Sequence, residues 1–407
     1  MNFKPTIADE NVEKKFRGLL PTSIYPERKL CEVFGKNPDI DSTALMVSST
    51  SWILSRLLID SGGHDASFAS IKTTTHSNSP SSTKLVEKAV DFTIPRMQTA
   101  IECLASRDID GDALLEQDHN EDWMDSVMRA GKIVYSQACW ILALTNFSIL
   151  LQLLNKRNET VQKILKLADA TIAAVEQKLW SEEDGAYIDI QETHHTGGPY
   201  RTLTQDISLY VVALTENTRM DSLSIHNYGS SISNDNNNNS DRMNNLLQPR
   251  MIKWLDRGKR DEDDDRDKSN YDRLVSTLAA IRKRAWKEKW PLVTEVELKS
   301  TGPWHLKPYE YHNHTFWPWT TGIEMLARAR FRQFKECDIL LSTLAAQGHP
   351  HIHTFYEWLN PINDTSGGVY PFRTGIAAVR LAISDIIGKI GMRYGFCQGI
   401  RSKPEKA

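Results

Sequence analysis

The sequence has few cysteines, no marked excess of charge and no strongly apolar segment near its start. Its five cysteines among 407 residues are scattered, without a C-x-x-C pair, which predicts reduced thiols in a cytoplasmic protein. The formal net charge of −3 argues against nucleic acid or an anionic membrane as a partner. The first sixteen residues are polar and acidic, which is not typical of a secretory signal.

Common cofactor and esterase signatures are also missing. The sequence contains no G-x-G-x-x-G, no G-x-x-x-x-G-K-[ST] and no G-x-S-x-G segment. Histidines two residues apart, as in His312 and His314, would bind zinc from a strand, but H-E-x-x-H is absent and strand patterns are scarce. The acidic run Arg107–Asp112 lacks the spacing of a calcium loop and predicts a turn. We therefore expect no metal and no cofactor.

One segment, Ile133–Asn155, has no charged residue and is long enough to cross a bilayer. It also carries polar residues that lipid disfavours, among them Gln137 and Asn146. It is the only such run in the chain. We therefore predict a helix buried inside a large soluble domain, with no membrane contact.

Apolar and amphipathic segments alternate along the chain, while strand-like alternation is scarce. The mostly apolar segments are 42–59, 133–155, 203–215, 316–330 and 375–390. The amphipathic segments are 84–104, 161–180, 271–286 and 334–346. This alternation predicts an all-α domain with an inner ring of helices and an outer layer, whose loops form a pocket at one end.

Three polar stretches separate these segments and predict disordered insertions, because they hold too little apolar area to order themselves. They lie near 61–83, 217–245 and 258–270. The predicted organisation is an N-terminal extension over 1–38, a helical barrel over 39–395 and a tail over 396–407.

The stretch DHNEDWMDSVMRAG, from Asp118 to Gly131, combines acids with a tryptophan just before the most apolar segment. Acids at this position can simply cap the helix and oppose its dipole. Capping does not require Trp123 beside Asp125. A carboxylate next to an indole is typical of a sugar site, since the apolar face of a pyranose stacks on the ring while the acid reaches the glycosidic oxygen.

A second aromatic cluster runs from Trp304 to Trp358, and within it Glu357 lies between Tyr356 and Trp358. Glycoside hydrolysis uses one protonated carboxyl group to assist the leaving oxygen and one ionised carboxylate to act on water or on the sugar. An aromatic wall raises the pKa of the acid by desolvating its charged form. Asp125 and Glu357 are therefore the predicted catalytic pair.

Several segments resemble those of (α/α)6-barrel glycosidases over roughly Gly18 to Ile390. The similar segments are DGDALLEQDHNEDWMDSVMRAGKIVYSQACWILAL, HNHTFWPWTTGIEMLARARF and TFYEWLNPIND. The families are the amylo-α-1,6-glucosidase domain of glycogen debranching enzymes and the mannosylglycerate-hydrolase-like and processing α-glucosidases. The resemblance implies an (α/α)6 toroid that hydrolyses α-linked glucosides or short oligosaccharides with inversion.

The resemblance also implies roles for individual residues. Asp125 matches the general acid and Glu357 the general base, with their carboxyl groups on the order of 6.5–9.5 Å apart. The predicted substrate-binding residues are Asp41, Trp123, Arg129, Tyr311, Asn313, Trp317, Trp319, Tyr356 and Trp358.

A departure from the family pattern leaves alternatives open. A full barrel has six inner helices, whereas the apolar segments number five. Either the barrel lacks its first helix pair, or residues 1–16 replace that pair, or the start codon is misplaced. A carbohydrate-binding protein or partner subunit without turnover is the main alternative. A sugar epimerase that uses His312 or His353 as acid or base is a further one.

Overall fold

The helices account for most of the structure. The computed structural model describes residues 18–25, 27, 30–33, 36–60, 80–154, 158–191, 200–215, 265–300, 305–347 and 355–394. Within these ranges the α-helices are α1 Ile40–Asp60, α2 Pro80–Ala105, α3 Val134–Leu153, α4 Asn158–Lys178, α5 Ser208–Thr215, α6 Asp265–Arg284, α7 Pro318–Arg330, α8 Phe334–Gln347 and α9 Arg373–Tyr394. A 3-10 helix, Gln205–Ile207, leads directly into α5.

The strands are short and confined to loops. They are β1 Ser23–Tyr25, β2 Leu30–Glu32, β3 Gly131–Lys132, β4 Trp180–Ser181, β5 Ala186–Tyr187, β6 Asp189–Gln191, β7 Tyr200–Thr202, β8 Trp286–Lys287, β9 Trp290–Pro291, β10 Trp358–Leu359 and β11 Ser366–Gly367. All the pairings among them are antiparallel, with β3, β6 and β7 forming one three-stranded sheet. This agrees with the scarcity of strand patterns in the sequence.

Burial separates two kinds of helix. Every residue from Val134 to Leu151 of α3 is buried, and so is every residue of α5, because these segments are apolar on all faces. Helix α4 instead buries Val161, Ile164 and Val175 and exposes the charged residues between them. The predicted contrast between buried and amphipathic helices is confirmed for α3, α5 and α4.

The packing order places five inner helices side by side, of which α3 and α5 are fully or almost fully buried. Helix α1 packs on α3, α3 on α5, α5 on α7, and α7 on α9. The intervening helices pack on the outside: α2 on α1, α4 on α3, α6 on α5 and α8 on α7. The described residues thus form an all-α toroid of helix pairs, with five inner helices among them, and the loop before α3 lies at one end of the inner layer.

Helix α3 has the length and composition of a membrane-spanning helix, and its apolar window is fully buried inside the fold. Such burial agrees with the predicted core helix, because a helix that is apolar on all faces must be covered by protein. The absence of membrane contact stays a prediction.

Two predicted insertions end earlier than expected. Helix α2 begins at Pro80 and α6 at Asp265, so residues 80–83 and 265–270 form first helical turns. Proline is favoured there because the first turn needs no backbone N–H donor. The remainder of the insertions, the tail over 396–407 and residues 1–16 lie outside the described residues, and the domain division stays a prediction.

Candidate active site

The Asp125 carboxyl group lies on the loop between α2 and α3. Backbone hydrogen bonds between Gln117 and Gly131 close the base of this loop, with N···O distances of 3.1 and 2.8 Å. The Met128 N–H donates to the Lys299 carbonyl at 2.6 Å, and the side chain of Asn120 donates to the Asp125 carbonyl oxygen. The loop is therefore tied at several points, and the Asp125 side chain keeps 17% of its surface exposed.

The Glu357 carboxyl group precedes the β10–β11 hairpin. Its backbone N–H donates to the Val369 carbonyl at 3.1 Å, and the Val369 N–H donates back to Glu357 Oε2 at 2.9 Å. Phe316 and Leu359 exchange backbone hydrogen bonds of 3.0 and 2.9 Å, which join the hairpin to the segment entering α7. One carboxylate oxygen of Glu357 is thus held by a backbone donor.

One apolar cluster brings the two loops together. Its buried members are Met124, Val127, Val293, Leu298 and Trp317, and Trp123, Leu306, Tyr311, Trp319, Trp358 and Phe372 pack against it. Met124 is the neighbour of Asp125 in sequence, and Trp358 is the neighbour of Glu357. Packing on a shared cluster therefore brings together the two segments that carry the predicted catalytic residues.

The charge of Glu357 affects the pKa of Asp125, and the charges of both acids affect the pKa of Tyr311. Burial raises the pKa of Asp125 to about 7, and the negative charges of Asp122 and Glu357 contribute to that rise. Burial also raises the pKa of Glu357, while the Val369 N–H opposes that rise. The pKa of the Tyr311 phenol is raised by burial and then by Asp125 and Glu357. Asp125 is the carboxyl group better suited to hold a proton near neutral pH.

Aromatic rings surround this pair of acids. The Trp123 ring lies edge-on to Trp319, Trp317 and His312, with centroid separations of 4.6, 5.2 and 5.1 Å. Tyr311 lies 5.3 Å from Trp317. These rings form a partly exposed apolar wall beside Asp125.

Tyr356 lies at the rim of the site. Tyr356 is 41% exposed, and its ring lies tilted against Tyr370 at a centroid separation of 4.5 Å. Trp358 is half-buried against the apolar cluster. The two rings that flank Glu357 are thus accessible from solvent, as contact with a substrate would require.

Arg129 is fully buried, and its predicted direct contact with a sugar stays a prediction. Its side chain is 0% exposed, and its guanidinium contacts Asp122 at 3.0 Å, Asp189 at 2.9 Å and Asp206 at 2.7 Å. These three carboxylates raise its pKa well above the usual range against the opposing effect of burial. In the described part of the chain, Arg129 contacts buried carboxylates next to the acid loop and does not line an open surface.

Asp41 is also enclosed. Its Oδ2 accepts hydrogen bonds from the Trp123 backbone N–H at 3.0 Å and from the Tyr135 hydroxyl at 3.1 Å. Burial raises its pKa to about 8, with further contributions from Asp39 and Asp122. Asp41 therefore holds the backbone of the tryptophan that forms the wall.

Two other predicted binding residues are buried among protein groups. The Asn313 side chain accepts a hydrogen bond from the Leu298 N–H at 2.8 Å. The Trp317 indole N–H donates to the Tyr311 carbonyl at 3.0 Å, and only 2% of Trp317 is exposed. Direct contact of either residue with a sugar stays a prediction, while their structural contacts shape the wall.

His312 packs against the acid loop. Its Nδ1 lies 2.8 Å from Ser126 Oγ and 3.7 Å from Asp125 Oδ1, and its ring stacks on Trp317 at 4.7 Å. Burial and the charge of Arg129 lower its pKa well below the usual value. A neutral, 1% exposed imidazole does not favour the epimerase alternative, and His353 lies outside the described residues.

Three acids near the site were missed by the sequence analysis. Asp39 is buried, and its pKa is raised to about 7 by burial and by the charges of Asp122 and Asp125. Asp189 and Asp206 both bind Arg129. Asp206 is the one acid within the apolar segment 203–215, which could have drawn attention to it but not to its contact with Arg129. No comparable signal marks Asp189.

A separate acidic group lies in the predicted turn after α2. One oxygen each of Asp108, Asp110 and Glu116 comes within 4.8 Å of the others, close enough to hold a metal ion. The Lys132 ammonium lies 2.6 Å from Asp110 and 3.6 Å from Glu116. Lys132 therefore places a positive charge beside two of these three carboxylates.

Known proteins resemble this chain in structure rather than in sequence. No protein-family model matches the sequence, and no curated protein matches it either. Among solved structures, the chain is similar to the GH63 mannosylglycerate hydrolase from Thermus thermophilus in complex with glucose. The identity is 12% and the TM-score 0.50, over 92% of this chain and 87% of that one.

Two further structures from the same organism agree. The same hydrolase in complex with Tris and D-glycerate gives a TM-score of 0.52 at 12% identity, over 90% of this chain and 84% of that one. An uncharacterised conserved protein gives the same four values. The chain has the (α/α)6 toroid fold. The predicted fold class is therefore confirmed, and a likeness at 12% identity shows the fold alone.

Proposed function

We propose that the protein is a glycoside hydrolase that acts on α-linked glucosides or short oligosaccharides with inversion. The observation that carries the proposal is the placement of Asp125 and Glu357. They stand on loops far apart in sequence, pack through their neighbours on one apolar cluster, and both act on the pKa of Tyr311. Fold likeness alone would not assign the reaction.

In the proposed mechanism, Asp125 is the general acid and Glu357 the general base. Asp125, with a pKa raised to about 7 by burial, holds a proton near neutral pH and donates it to the departing glycosidic oxygen. Glu357 takes a proton from water as that water attacks the anomeric carbon from the opposite face. The sugar then leaves with inverted configuration.

The surrounding charges suit the transition state of this reaction. An oxocarbenium-like transition state develops positive charge on the sugar ring. Asp122, Asp189 and Asp206 place three carboxyl groups around the single buried guanidinium of Arg129. Preorganised negative groups around the site would stabilise the developing charge without reorganising during the reaction.

The proposed substrate class rests on two kinds of support. The sequence resembles amylo-α-1,6-glucosidase and processing α-glucosidase segments, and a structurally similar protein was solved with glucose bound. Amylo-α-1,6-glucosidase-like specificity is the finer form of the proposal. The carbohydrate ligand is proposed from the acids and aromatic residues of the site. The absence of a nucleic-acid or membrane partner and a cytoplasmic location are proposed from the net charge and the scattered cysteines.

The stereochemistry of the first product tests the proposal. The protein should be incubated with maltose, isomaltose and short α-glucan oligosaccharides, and the anomeric protons followed by NMR before mutarotation. We expect β-glucose to appear first from an α-linked substrate. Release of α-glucose first would contradict inversion, and no release from any hydrolysable glycan would contradict the enzyme assignment.

Gly368 offers a second test, because it bounds the position of Glu357. Its φ is +78°, and a Cβ built there would overlap Glu357 Oε2. Gly111 has a nearly equal φ of +76° with nothing within 4 Å. We expect Gly368→Ala to lower kcat at least 10-fold by displacing the carboxylate, while Gly111→Ala costs about 1–2 kcal/mol of stability with unchanged kcat.

Steady-state kinetics and urea unfolding of both variants separate the effect of backbone strain at a positive φ from the effect of displacing the Glu357 carboxylate. Equal kcat values for Gly368→Ala and Gly111→Ala would contradict the role given to the Glu357 carboxylate.

A carbohydrate-binding protein without turnover is the second candidate. The observation that favours it is the number of inner helices, five among the described residues against six in a full barrel. Calorimetry would then detect glycan binding while no reducing sugar is released.

A further inference from the structure

The indole of Trp123 is held by a buried acid on another segment. Its Nε1–H donates to Asp206 Oδ2 at 2.8 Å. Asp206 lies on the 3-10 helix before α5 and is 1% exposed. The Thr204 hydroxyl donates to Asp206 Oδ1 at 2.6 Å, so both carboxylate oxygens are occupied by protein donors.

Arg129 fixes that acid in place. Its Nη1 lies 2.7 Å from Asp206 Oδ2, the same oxygen that accepts the indole hydrogen bond, and its Nη2 lies 3.1 Å from Oδ1. The same guanidinium contacts Asp122, the residue before Trp123, at 3.0 Å. One cation therefore restrains both the partner of the ring and the chain that carries the ring.

The two ends of Trp123 are thus held separately. Asp41 accepts its backbone N–H at 3.0 Å, while Asp206 accepts its indole N–H at 2.8 Å. An indole rotated by half a turn would point its N–H away from Asp206 and leave a buried carboxylate with one donor fewer, which is costly. The hydrogen bond therefore selects one orientation of the ring.

We propose that Asp206 is a positioning residue for the sugar site: it fixes the orientation of the Trp123 ring on which substrate would stack, and Arg129 holds Asp206 for that task. The identity of the ligand rests on the proposed function, but the restraint on the ring does not.

The chain contains a matched control for this arrangement. The Trp286 indole N–H donates to the buried Glu324 at 3.0 and 3.2 Å, and Arg328 Nε donates to Glu324 Oε1 at 2.7 Å. This second tryptophan–acid–arginine group packs in the main core. This group has the same chemistry as the Trp123 group, but its tryptophan does not belong to the apolar cluster beside Asp125.

The test is a double-mutant cycle. Trp123→Phe removes the indole donor and Asp206→Asn removes the charged acceptor at nearly constant volume. We expect each single change to raise the KM for a hydrolysed α-glucoside about 10-fold, with kcat falling less. The double variant should be no worse than the worse single one, because both changes remove one hydrogen bond.

Trp286→Phe is the control variant for Trp123→Phe. Trp286→Phe should lower stability in urea while KM stays within about twofold of the original value. Single effects that multiply in the double variant would overturn the proposal, and so would a Trp286→Phe variant that raises KM as much as Trp123→Phe does.

A readout independent of turnover keeps this inference distinct from the proposed function. In ¹H–¹⁵N spectra, the indole resonance lost in Trp123→Phe is that of Trp123. Asp206→Asn should move this resonance and speed its hydrogen exchange at least 10-fold, whether or not the protein hydrolyses glycans. An unmoved resonance would overturn the positioning role even in an active glycosidase. Loss of hydrolysis alone would bear only on the function.

Discussion

Replacing Asp125 by asparagine is expected to lower kcat for an unactivated α-glucoside by about 10²–10⁴-fold. Asparagine keeps the size of the side chain but cannot donate the proton that the departing oxygen requires. The change removes a carboxyl group whose pKa is raised to about 7 by burial, so the folded protein should lose no stability near neutral pH. Reducing-sugar release under saturating substrate measures the effect.

The leaving group distinguishes acid catalysis from general damage to the site. An aryl glucoside with a strongly activated phenol departs without a proton, so Asp125→Asn should hydrolyse it within about 10-fold of the original rate. Asp118→Asn is the control, since its carboxylate is 45% exposed and pairs only with Lys36 at 3.3 Å among the ion pairs described. An Asp125→Asn variant with near-normal kcat on ordinary glucosides would contradict the assignment.

Replacing Arg129 by methionine is expected to cost about 3–5 kcal/mol of unfolding free energy. The change leaves Asp122, Asp189 and Asp206 buried without their shared cation. Urea unfolding monitored by tryptophan fluorescence measures the loss. Arg96→Met is the control, because Arg96 is exposed and lies over the Phe92 ring at 3.6 Å, and it should cost under about 1 kcal/mol.

The cost should grow with pH. Burial raises the pKa of Asp122 and Asp189 in the folded state above their values in the unfolded chain, and removing the cation takes away an effect that opposes this rise. The folded state then binds more protons than the unfolded state over the interval between those values, so stability falls as pH rises through it. The loss in Arg129→Met should therefore be larger at pH 8 than at pH 5.5. A loss that is equal at both pH values would contradict the role of Arg129 as the shared cation of three carboxylates.

The helical layers could be predicted from the sequence because burial leaves a direct pattern. Helix α3 is apolar on every face, and a helix with no polar face must be surrounded by protein. Helix α4 places its charges on one face, which must meet solvent. These signals are local, so no knowledge of distant contacts was needed to assign either helix to its layer.

The two catalytic candidates were also accessible from local chemistry, since each carboxylate has aromatic neighbours in sequence. The contacts of the supporting residues were not. Asp189 and Asp206 meet Arg129 across separations of 60 and 77 residues, and nothing in a short segment records such a meeting. Arg129 was accordingly predicted to line the sugar site, whereas its three acids enclose it.

The sequence composition also does not show which aromatic side chains are exposed and which are buried. Trp317 and Tyr356 both stand in the aromatic cluster, yet the first is 2% exposed and the second 41%. The requirement for Gly368 is similar, because it follows from the place of the Glu357 carboxylate after the β10–β11 hairpin has formed. Such features depend on how chain segments meet, and only the structure supplies them.

The most direct test of the central claim, that Asp125 and Glu357 face one site, is the pKa of Asp125 measured by ¹³C NMR with and without Glu357. In the original protein we expect a pKa of about 7, raised by burial and then by the charges of Asp122 and Glu357. Glu357→Gln removes one of those charges and should lower that pKa, whereas Glu182→Gln, at an 81% exposed position, should leave it unchanged. A pKa of Asp125 that does not respond to Glu357→Gln would contradict the shared site.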